Sequence, residues 1–400
     1  MKILQVCSKP PFPPYDGGSI AMNNITDGLI EDGHQLKLVS VSTHKHFVDI
    51  NDLPDEYRKN TKIEFIHIDT KIRPLKALLN LLFSRRSYNI IRFETKSFEN
   101  RLAEILKSED FDLVIIESVF LNHYVKIIRR ISNAKIILRA HNIEFIIWQR
   151  LVFEEDSWLR RIYLSTLSKR LKKEELSALE EFDAIITVSE SDMQSFQKLG
   201  CTKPMESIPI SIDVTKDLAF NPDDVEYPSV FFIGALDWLP NQEGINWFLT
   251  QVWPELNKLY PDLKFFIAGR GESSWLKIPN NQNIVFLGEI EDAASYFKSK
   301  AIMIVPLFSG SGMRVKIIEG MTFGKAIVST SIGVEGIEHK HQENIIIADS
   351  KEDYIQSIQE LIEDKEYYDS ICKSASNHAV ERYSNKAITE KLIRFIGNLK

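Results

Sequence analysis

The sequence predicts an α/β protein built from two doubly wound domains, and three observations support this prediction. Short runs rich in β-branched residues alternate with longer amphipathic stretches, as strands alternate with helices in such folds. Several of these runs are apolar almost throughout, which is typical of parallel strands buried on both faces. The alternation stops near residue 203 and starts again near residue 230, so the 400 residues divide into two series.

The first series predicts a domain spanning residues 1–208. Its predicted strands are Ile3–Cys7, Leu36–Val41, Glu64–Ile68, Leu113–Glu117, Ile136–Arg139 and Ala184–Val188. Its predicted helices are Ser19–Asp32, closed by Gly33, and then Leu75–Phe83, Phe98–Lys107, Tyr124–Ile131 and Trp158–Glu181.

The second series predicts a domain spanning residues 209–385, after a joint rich in Pro, Asp and Ser at Lys203–Asp224. Its predicted strands are Val230–Ile233, Leu263–Ala268, Ile284–Leu287, Ile302–Val305 and Ala326–Ser329, with a helix at Glu243–Leu259. Three helical stretches follow from Glu352 to Leu399. We expect the last of them, residues 386–400, to pack back on the first domain.

Composition excludes several classes of protein. The formal net charge of −7 argues against a general nucleic-acid binder, and so no nucleic-acid partner is expected. The three cysteines are far apart in sequence, which predicts neither a disulfide framework nor a zinc site. No apolar run is long enough to span a membrane, and the N-terminus lacks the features of a signal peptide. The expected location is the cytoplasm.

The first candidate site is the loop Pro13–Ser19 between the first strand and the first helix. Gly17 and Gly18 would allow a ligand close to the backbone and would permit positive φ, and the helix N-terminus attracts anions. The alternative interpretation is an ordinary turn in which Ser19 caps the helix.

The second candidate site is the segment Pro306–Gly324, in which a strand, a small-residue loop and a helix follow one another. Amides of the loop Ser309–Gly312 can bind phosphate oxygens. Arg314 and Lys316 are predicted in the first helical turn, where cations are unfavourable unless an anion binds there. Glu319 lies on the same helical face as Lys316 and is suited to ribose hydroxyls. The alternative interpretation is a solvated Lys–Glu pair.

The third candidate is His141, which with Asn142 and Glu144 follows the strand Ile136–Arg139. Residues at the carboxyl end of such a strand face the ligand crevice of an open α/β sheet. His141 could hydrogen-bond sugar hydroxyls or move protons there. The alternative interpretation is a structural histidine, since a lone histidine in a loop is more often structural.

Together these motifs resemble those of the retaining glycosyltransferases with the GT-B fold, in particular family 4. The likeness extends along nearly the whole chain, and its most specific part is Pro306–Gly333. It also includes Gly17-Gly18, His141-Asn142, Val188–Ser191, Pro209–Asp213, Phe232–Asn241, Ile267–Gly271 and Phe286–Glu289. The resemblance implies two Rossmann-like domains facing a central cleft, with the acceptor bound by the N-terminal domain and the nucleotide by the C-terminal one.

The resemblance also implies roles for single residues. Glu319 matches a glutamate that contacts ribose, and His141 matches a histidine near the transferred sugar. The predicted donor-binding residues are Gly17, Gly18, Gly234, Arg270, Gly288, Glu289, Gly310, Ser311, Gly312 and Glu319. The predicted catalytic residues are His141, Arg314 and Lys316.

The chain departs from the family pattern at two places. Ser311 stands where the family often has the first of two glutamates. After Gly234 the sequence reads Ala-Leu-Asp-Trp, where the family often has Arg and Lys. Arg314 and Lys316 are therefore expected to supply the missing positive charge, as in a subgroup with the loop Gly-Ser-Gly-x-Arg-x-Lys.

The activity that the resemblance implies is hexosyl transfer from a UDP- or GDP-sugar to a glycan or lipid-linked acceptor, in the synthesis of cell-surface polysaccharide or glycoconjugates. No cofactor or metal is expected, because Arg314, Lys316 and the loop amides can stabilise the leaving diphosphate. Two alternatives remain open: a nucleotide-sugar epimerase of the same fold and a non-catalytic nucleotide-sugar-binding subunit.

A further feature is the basic stretch of residues 71–101, which holds eight basic residues against two acidic ones, interleaved with leucines. Basic amphipathic segments bind anionic membrane surfaces. The sequence therefore predicts a peripheral contact with the inner face of the plasma membrane, with a solvated helix face as the alternative.

Overall fold

The computed structural model describes residues 1–155, 157–213, 225–278, 283–310 and 312–399 in two compact units. Unit 1 comprises Met1–Ser211 and the residues from Ile388 onwards, and unit 2 comprises Ile212–Ala387. The predicted boundaries were residues 208 and 385. No helix of the described residues is long and apolar enough to cross a membrane.

Unit 1 contains a parallel sheet of seven strands in the order β3-β2-β1-β4-β5-β6-β7. Its strands are β1 (Lys2–Cys7), β2 (Gln35–Ser42), β3 (Glu64–His67), β4 (Leu113–Ile116), β5 (Lys135–Ala140), β6 (Ala184–Thr187) and β7 (Met205–Ser207). Every predicted strand of this unit is present and ends within one residue of its predicted bounds, whereas the short β7 was not predicted. The strand order reverses between β1 and β4, where ligands of open α/β sheets bind.

Helices cover both faces of this sheet. They are α1 (Gly17–Glu31), α2 (Asp55–Thr61), α3 (Pro74–Phe83), α4 (Tyr88–Ile91), α5 (Lys96–Ser108), α6 (Val125–Ile131), α7 (Glu144–Glu154), α8 (Trp158–Leu179) and α9 (Glu190–Lys198). Because successive strand residues point to opposite faces, Leu4 and Val6 enter one hydrophobic core and Ile3 enters the other. The second core also takes in Ile388 and Leu392 from the C-terminal end of the chain.

Unit 2 contains a parallel sheet of six strands in the order β10-β9-β8-β11-β12-β13. Its strands are β8 (Glu226–Ile233), β9 (Lys264–Ala268), β10 (Ile284–Gly288), β11 (Lys300–Val305), β12 (Ala326–Ser329) and β13 (Ile346–Ile347). The strand order reverses between β8 and β11. The predicted pair of doubly wound, Rossmann-like α/β domains is thus confirmed.

The helices of unit 2 complete its layers on both sides of the sheet. They are α10 (Leu239–Trp247), α11 (Trp253–Leu259), α12 (Ala293–Ser299), α13 (Val315–Thr322), α14 (Lys351–Glu363) and α15 (Lys365–Tyr383), and α16 (Asn385–Gly397) follows them in the chain. The last three correspond to the helical stretches predicted after Glu352.

The helix predicted around Glu243–Leu259 lies within an unbroken helical stretch, which begins a few residues earlier and changes type in its middle. Helix α10 already begins at Leu239, and a π-helical segment at Phe248–Val252 separates it from α11. Pro254 is the physical reason, since it has no N–H to donate to the carbonyl four residues earlier. The helix takes a wider turn there instead.

Candidate functional site

Both sheets place most of the candidate residues at the carboxyl ends of strands that lie at the reversal of strand order or one strand away from it. In unit 1, Gly17 and Gly18 follow β1 and His141 follows β5. In unit 2, Gly234 directly follows β8, and Gly310 lies in the loop after β11. Each unit therefore carries its own group of candidate residues, and the two groups have different chemistry.

The first group begins at the N-terminus of α1. Asp16 is the N-cap, whereas the alternative interpretation gave this role to Ser19. The Asp16 carboxylate accepts from the Ser19 amide at 2.9 Å, and the Ser19 hydroxyl accepts from the Asp16 amide. Burial opposes ionisation of Asp16, but hydrogen bonds from Lys9 and Ser19 outweigh it and lower the pKa of Asp16 to about 2. The ammonium of Lys9 lies 2.5 Å from the same carboxylate.

Gly17 and Gly18 are the first two residues of α1, and neither has the positive φ that the sequence suggested. The two glycines differ instead in the room that a side chain would have. A Cβ atom at Gly18 would lie 2.9 Å from Nζ of Lys9, whereas one at Gly17 would meet nothing within 4 Å. Gly18 thus keeps Lys9 close to the helix N-terminus.

Glu117 is the centre of a buried polar network at the end of β4. Its carboxylate is fully buried and accepts hydrogen bonds from Nε2 of Gln5 at 2.7 Å and from Nη1 of Arg139 at 3.2 Å. Nη1 of Arg139 also donates to the carbonyl of Ala21 in α1. Burial opposes ionisation of Glu117, but the charge of Arg139 and the hydrogen bond from His141 outweigh it and lower its pKa.

The same carboxylate fixes the orientation of His141. Nε2 of His141 lies 2.8 Å from Glu117 Oε2, and an ionised carboxylate only accepts, so Nε2 carries the proton. Burial lowers the pKa of His141, against the raising effect of Glu117. The imidazole is therefore neutral near pH 7, and its Nδ1 is a hydrogen-bond acceptor.

A small pocket opens beside His141 at the ends of β4 and β5. Glu117, Ser118, Asn142 and Glu144 contribute polar groups to its lining. Burial raises the pKa of Glu144 to about 7, with Lys9 opposing the shift. The pocket therefore combines a neutral imidazole with a carboxyl group that titrates near neutrality.

The segment after His141 is held by a carboxylate from another helix. Glu175 of α8 accepts hydrogen bonds from the backbone amides of Glu144 and Phe145, both at 2.9 Å. These amides open α7, whose own N-cap Ile143 offers no side-chain acceptor. Burial raises the pKa of Glu175 to about 8 even though both amides oppose the shift.

The second group of candidate residues centres on Lys316 in the first turn of α13. Its ammonium donates to Oδ1 of Asn241 at 3.1 Å and lies 4.2 Å from the ring centroid of Phe232. A Cβ atom at Gly234 would lie 3.2 Å from the same ammonium, so a larger residue there would crowd it. Burial and the charge of Arg314 lower the pKa of Lys316 to about 7.

Arg314 is the N-cap residue of α13, one position before the predicted first turn. Its guanidinium is buried 5.6 Å from the ring of Trp238, and its Nη1 donates to the carbonyl of Gly312. Gly310 and Gly312 have φ of +107° and +83°, which other residues rarely adopt. A Cβ atom at Gly310 would also lie 3.1 Å from both Arg314 and Trp238.

The other predicted donor-binding residues lie on neighbouring elements of unit 2. Glu319 is half-buried on α13, one turn after Lys316. Gly288 ends β10 with φ of +64°, and Glu289 next to it is exposed. Arg270 follows β9 and is exposed, and its carbonyl accepts from the amide of Leu236. Ser311 lies outside the described residues.

Sequence reasoning missed several members of both groups. Glu117 and Arg139 each end an apolar run, and the two runs form adjacent strands. A charged residue in such a run indicates a buried ion pair. Asn241 and Trp238 carry no comparable signal, because their contacts with Lys316 and Arg314 join residues about 75 positions apart.

These arrangements differ in what they can do chemically. In unit 1, a neutral imidazole and a titratable carboxyl group line a small polar pocket suited to hydroxyl groups. In unit 2, an ammonium and a guanidinium stand beside glycine-rich backbone at a helix N-terminus, which suits an anion with several oxygens.

Comparison with known protein families matches most of the chain. The family model described as Glycosyltransferase Family 4 matches residues 15–216, and the model described as Glycosyl transferases group 1 matches residues 227–364. A Klebsiella pneumoniae protein described as an uncharacterized 44.6 kDa protein in the cps region is 24% identical, over 98% of this chain and 99% of its own. An uncharacterized glycosyltransferase of Haemophilus influenzae is 23% identical, over 86% of each chain.

Solved structures with the same fold include several complexes. Anabaena Alr3699/HepE in complex with UDP and glucose has a TM-score of 0.65 and 14% identity, with all of both chains covered. Sucrose-phosphate synthase from Thermosynechococcus elongatus has a TM-score of 0.69 and 15% identity, over 100% of this chain and 99% of the other. S. aureus TarM has a TM-score of 0.67 and 11% identity at the same coverage.

Proposed function

The chain belongs to glycosyltransferase family 4, and from this premise we propose that it transfers a hexose from a UDP- or GDP-sugar to a glycan or lipid-linked acceptor. The proposal includes retention at the anomeric carbon and no requirement for a metal ion. It also includes a cytoplasmic location and a role in the synthesis of cell-surface polysaccharide or glycoconjugates.

The observation that carries the proposal is the cation pair of Arg314 and Lys316 at the N-terminus of α13. The positive charge of Arg314 helps to lower the pKa of Lys316, so the two side chains are close enough to repel. Within the described residues no carboxylate contributes to that pKa, and the amide oxygen of Asn241 is the ammonium's hydrogen-bond acceptor. A diphosphate would remove this repulsion.

The proposed reaction breaks the bond between the anomeric carbon and an oxygen of the β-phosphate, and negative charge develops on that phosphate. Cations and amides already placed there stabilise the developing charge without reorganisation. The acceptor hydroxyl oxygen forms the new bond on the same face of the sugar, and its proton passes to the departing phosphate. Arg314 and Lys316 thus take the role that a divalent cation has in other transferases.

His141 is proposed to position the sugar that is transferred. Glu117 holds its protonated Nε2, which leaves Nδ1 to accept a hydrogen bond from a sugar hydroxyl. Glu319, Gly288 and Glu289 are proposed to contact the nucleoside.

Two findings support the choice of donor and pathway. The Anabaena protein of the same fold was solved with UDP-glucose, and TarM with UDP. The Klebsiella relative that spans the whole chain is encoded in a cps region, which suits a role in polysaccharide synthesis.

Incubation of the protein with labelled UDP- and GDP-hexoses tests the proposal. We expect slow hydrolysis without acceptor, faster transfer to a polysaccharide-precursor acceptor, an unchanged anomeric configuration by NMR, and the same rate in EDTA. Formation of an epimerised donor would identify an epimerase, and binding without turnover would identify a non-catalytic subunit. A rate that depends fully on added magnesium would contradict the metal-free step.

A further inference from the structure

Helix α3 exposes its apolar stripe to solvent. Leu75, Leu78, Leu79 and Leu82 are spaced as neighbours along one helical face, and Phe83 ends the helix. These five side chains are 48 to 82% exposed. Contiguous apolar surface of this kind on a described helix is typical of a binding site.

The opposite side of α3 fastens it to unit 1. Ala77 is the buried residue of the helix and packs in one cluster with Leu167 and Tyr163 of α8. Arg170 of α8 donates to the backbone carbonyls of Asn80 and Leu81. The helix is therefore anchored by a narrow face, and its leucines point away from the core.

Exposed basic residues flank this stripe. Residues 71–86 include five basic side chains and no acidic one. Arg73 pairs with Asp69, and Arg86 pairs with Glu94 and Glu174. Lys71, Lys76 and Arg85 are exposed, and no carboxylate of the described residues forms an ion pair with them.

The start of α8 adds apolar surface beside α3. Trp158, Leu159 and Ile162 are each more than half exposed. Tyr163 of the same helix packs in the cluster that holds Ala77 of α3. Trp158, Leu159 and Ile162 lie at most five residues before Tyr163, which is about 7.5 Å along the helix. The two exposed apolar groups thus lie close to one contact between helices.

We propose that α3 and the start of α8 form a docking surface for an anionic lipid bilayer. The leucines and Phe83 of α3 would enter the boundary between headgroups and acyl chains, and Lys71, Lys76 and Arg85 would contact lipid phosphates. Trp158 is suited to the same boundary because its ring is apolar and its N–H is polar.

Charge selects a bilayer over a second copy of the chain as the occupant. In a symmetric dimer the same patch of both copies would meet. Lys71, Lys76 and Arg85 of both copies would then lie in one interface without acidic residues of the same segment, which is unfavourable. An anionic surface complements both the leucines and the cations.

The structure also narrows the basic surface expected over residues 71–101. Arg101 lies on α5 and is engaged by Glu64 and Glu104, so its charge is neutralised within the protein. Arg92 is half-buried and donates to the carbonyl of Thr70. The proposed docking surface therefore does not include Arg92 and Arg101.

Flotation of the full-length protein with vesicles tests the docking surface without nucleotide or acceptor, so the outcome does not depend on the proposed transferase activity. We expect binding to phosphatidylcholine vesicles that contain phosphatidylglycerol, weak binding to pure phosphatidylcholine, and loss of binding in high salt. The double variant Leu78→Glu, Leu82→Glu should bind at least about tenfold more weakly. The double variant Lys71→Glu, Lys76→Glu should weaken binding to the anionic vesicles by a similar factor and leave the weak binding to pure phosphatidylcholine unchanged.

Matched controls separate the surface from general effects of added charge. Two double variants of exposed residues in unit 2 serve as controls. The variant Leu259→Glu, Val380→Glu matches the leucine variant, and the variant Lys258→Glu, Lys373→Glu matches the lysine variant. Both should float like the wild type. The inference is overturned if the wild type does not float, or if the α3 variants float as well as these controls. It is also overturned if light scattering shows a dimer that Leu78→Glu, Leu82→Glu converts to monomer.

Discussion

The two units share one topology but place opposite charges at the reversal of strand order. In unit 1 the end of β4 carries Glu117, a carboxylate that is already hydrogen-bonded by Gln5, Arg139 and His141. In unit 2 the loop after β11 leads to Lys316, an ammonium whose acceptor is a neutral amide and whose charged neighbour Arg314 repels it.

The two arrangements have different electrostatic consequences. A buried carboxylate with several donors is electrostatically complete and fixes the orientation of the groups around it. A pair of like charges at a helix N-terminus is destabilising by itself and becomes favourable when an anion binds. We therefore expect changes at Glu117 to act first on stability and changes at Arg314 and Lys316 to act first on catalysis.

The largest effect on stability is expected for Glu117→Ala. The substitution leaves Arg139 buried without a carboxylate, and breaking a buried ion pair in this way costs about 3–5 kcal/mol. Urea denaturation of the purified variant measures the loss. The control Glu104→Ala removes an exposed partner of Arg101 and should cost about 1 kcal/mol or less.

A second substitution tests whether the loss of stability comes from the unpaired charge of Arg139. In Glu117→Ala, Arg139→Met no uncompensated charge remains, so part of the stability should return. A Glu117→Ala variant within about 1 kcal/mol of the wild type would contradict a structural role for the pair, since surface pairs have effects of that size.

The next effect is catalytic and belongs to unit 2. Arg314→Ala and Lys316→Met should each lower turnover by about 10²-fold or more, as does loss of one preorganised donor to a developing anion. The folded state lowers the pKa of Lys316 from 10.5 to about 7, so it binds this proton less tightly than the unfolded state. At pH 8 Lys316 therefore reduces stability, and Lys316→Met should keep or raise the melting temperature.

Steady-state kinetics and thermal melts of the same preparations check this combination. Lys340→Ala removes an exposed lysine of unit 2 that pairs with Glu343, and it should change neither quantity. Turnover near that of the wild type in both Arg314→Ala and Lys316→Met would refute the assignment of the diphosphate site.

The sequence predicts the sheets well because strand burial is a local property. The runs at Leu113–Glu117 and Ile136–Arg139 were placed within one residue, since an almost wholly apolar run has few other structures available. The N-cap of α1 is also a local feature of the sequence. Two residues that favour caps, Asp16 and Ser19, occur three positions apart and both take part in the capping box, so the sequence does not decide between them.

What the sequence cannot predict depends on contacts between distant residues. Helix α7 was not predicted, because Glu175, which satisfies its first amides, lies about 30 residues further along the chain. In the same way Lys316 was found as a cation, but the buried environment that lowers its pKa comes from Phe232, Gly234 and Asn241. The residue types of the site were thus more predictable than their electrostatics.

The smallest expected effect is proton uptake when the nucleotide binds. With a pKa of about 7, Lys316 is mostly uncharged at pH 8, and a diphosphate beside it would raise that pKa. The terminal phosphate of UDP, with a pKa of about 6, is already ionised at this pH and contributes little. Calorimetry of UDP binding in buffers of different ionisation enthalpy should therefore show an uptake approaching one proton, and the uptake should disappear in Lys316→Met. Binding without proton uptake in the wild type would mean that the nucleotide does not meet this ammonium, and the contrast between the two units would then lose its functional meaning.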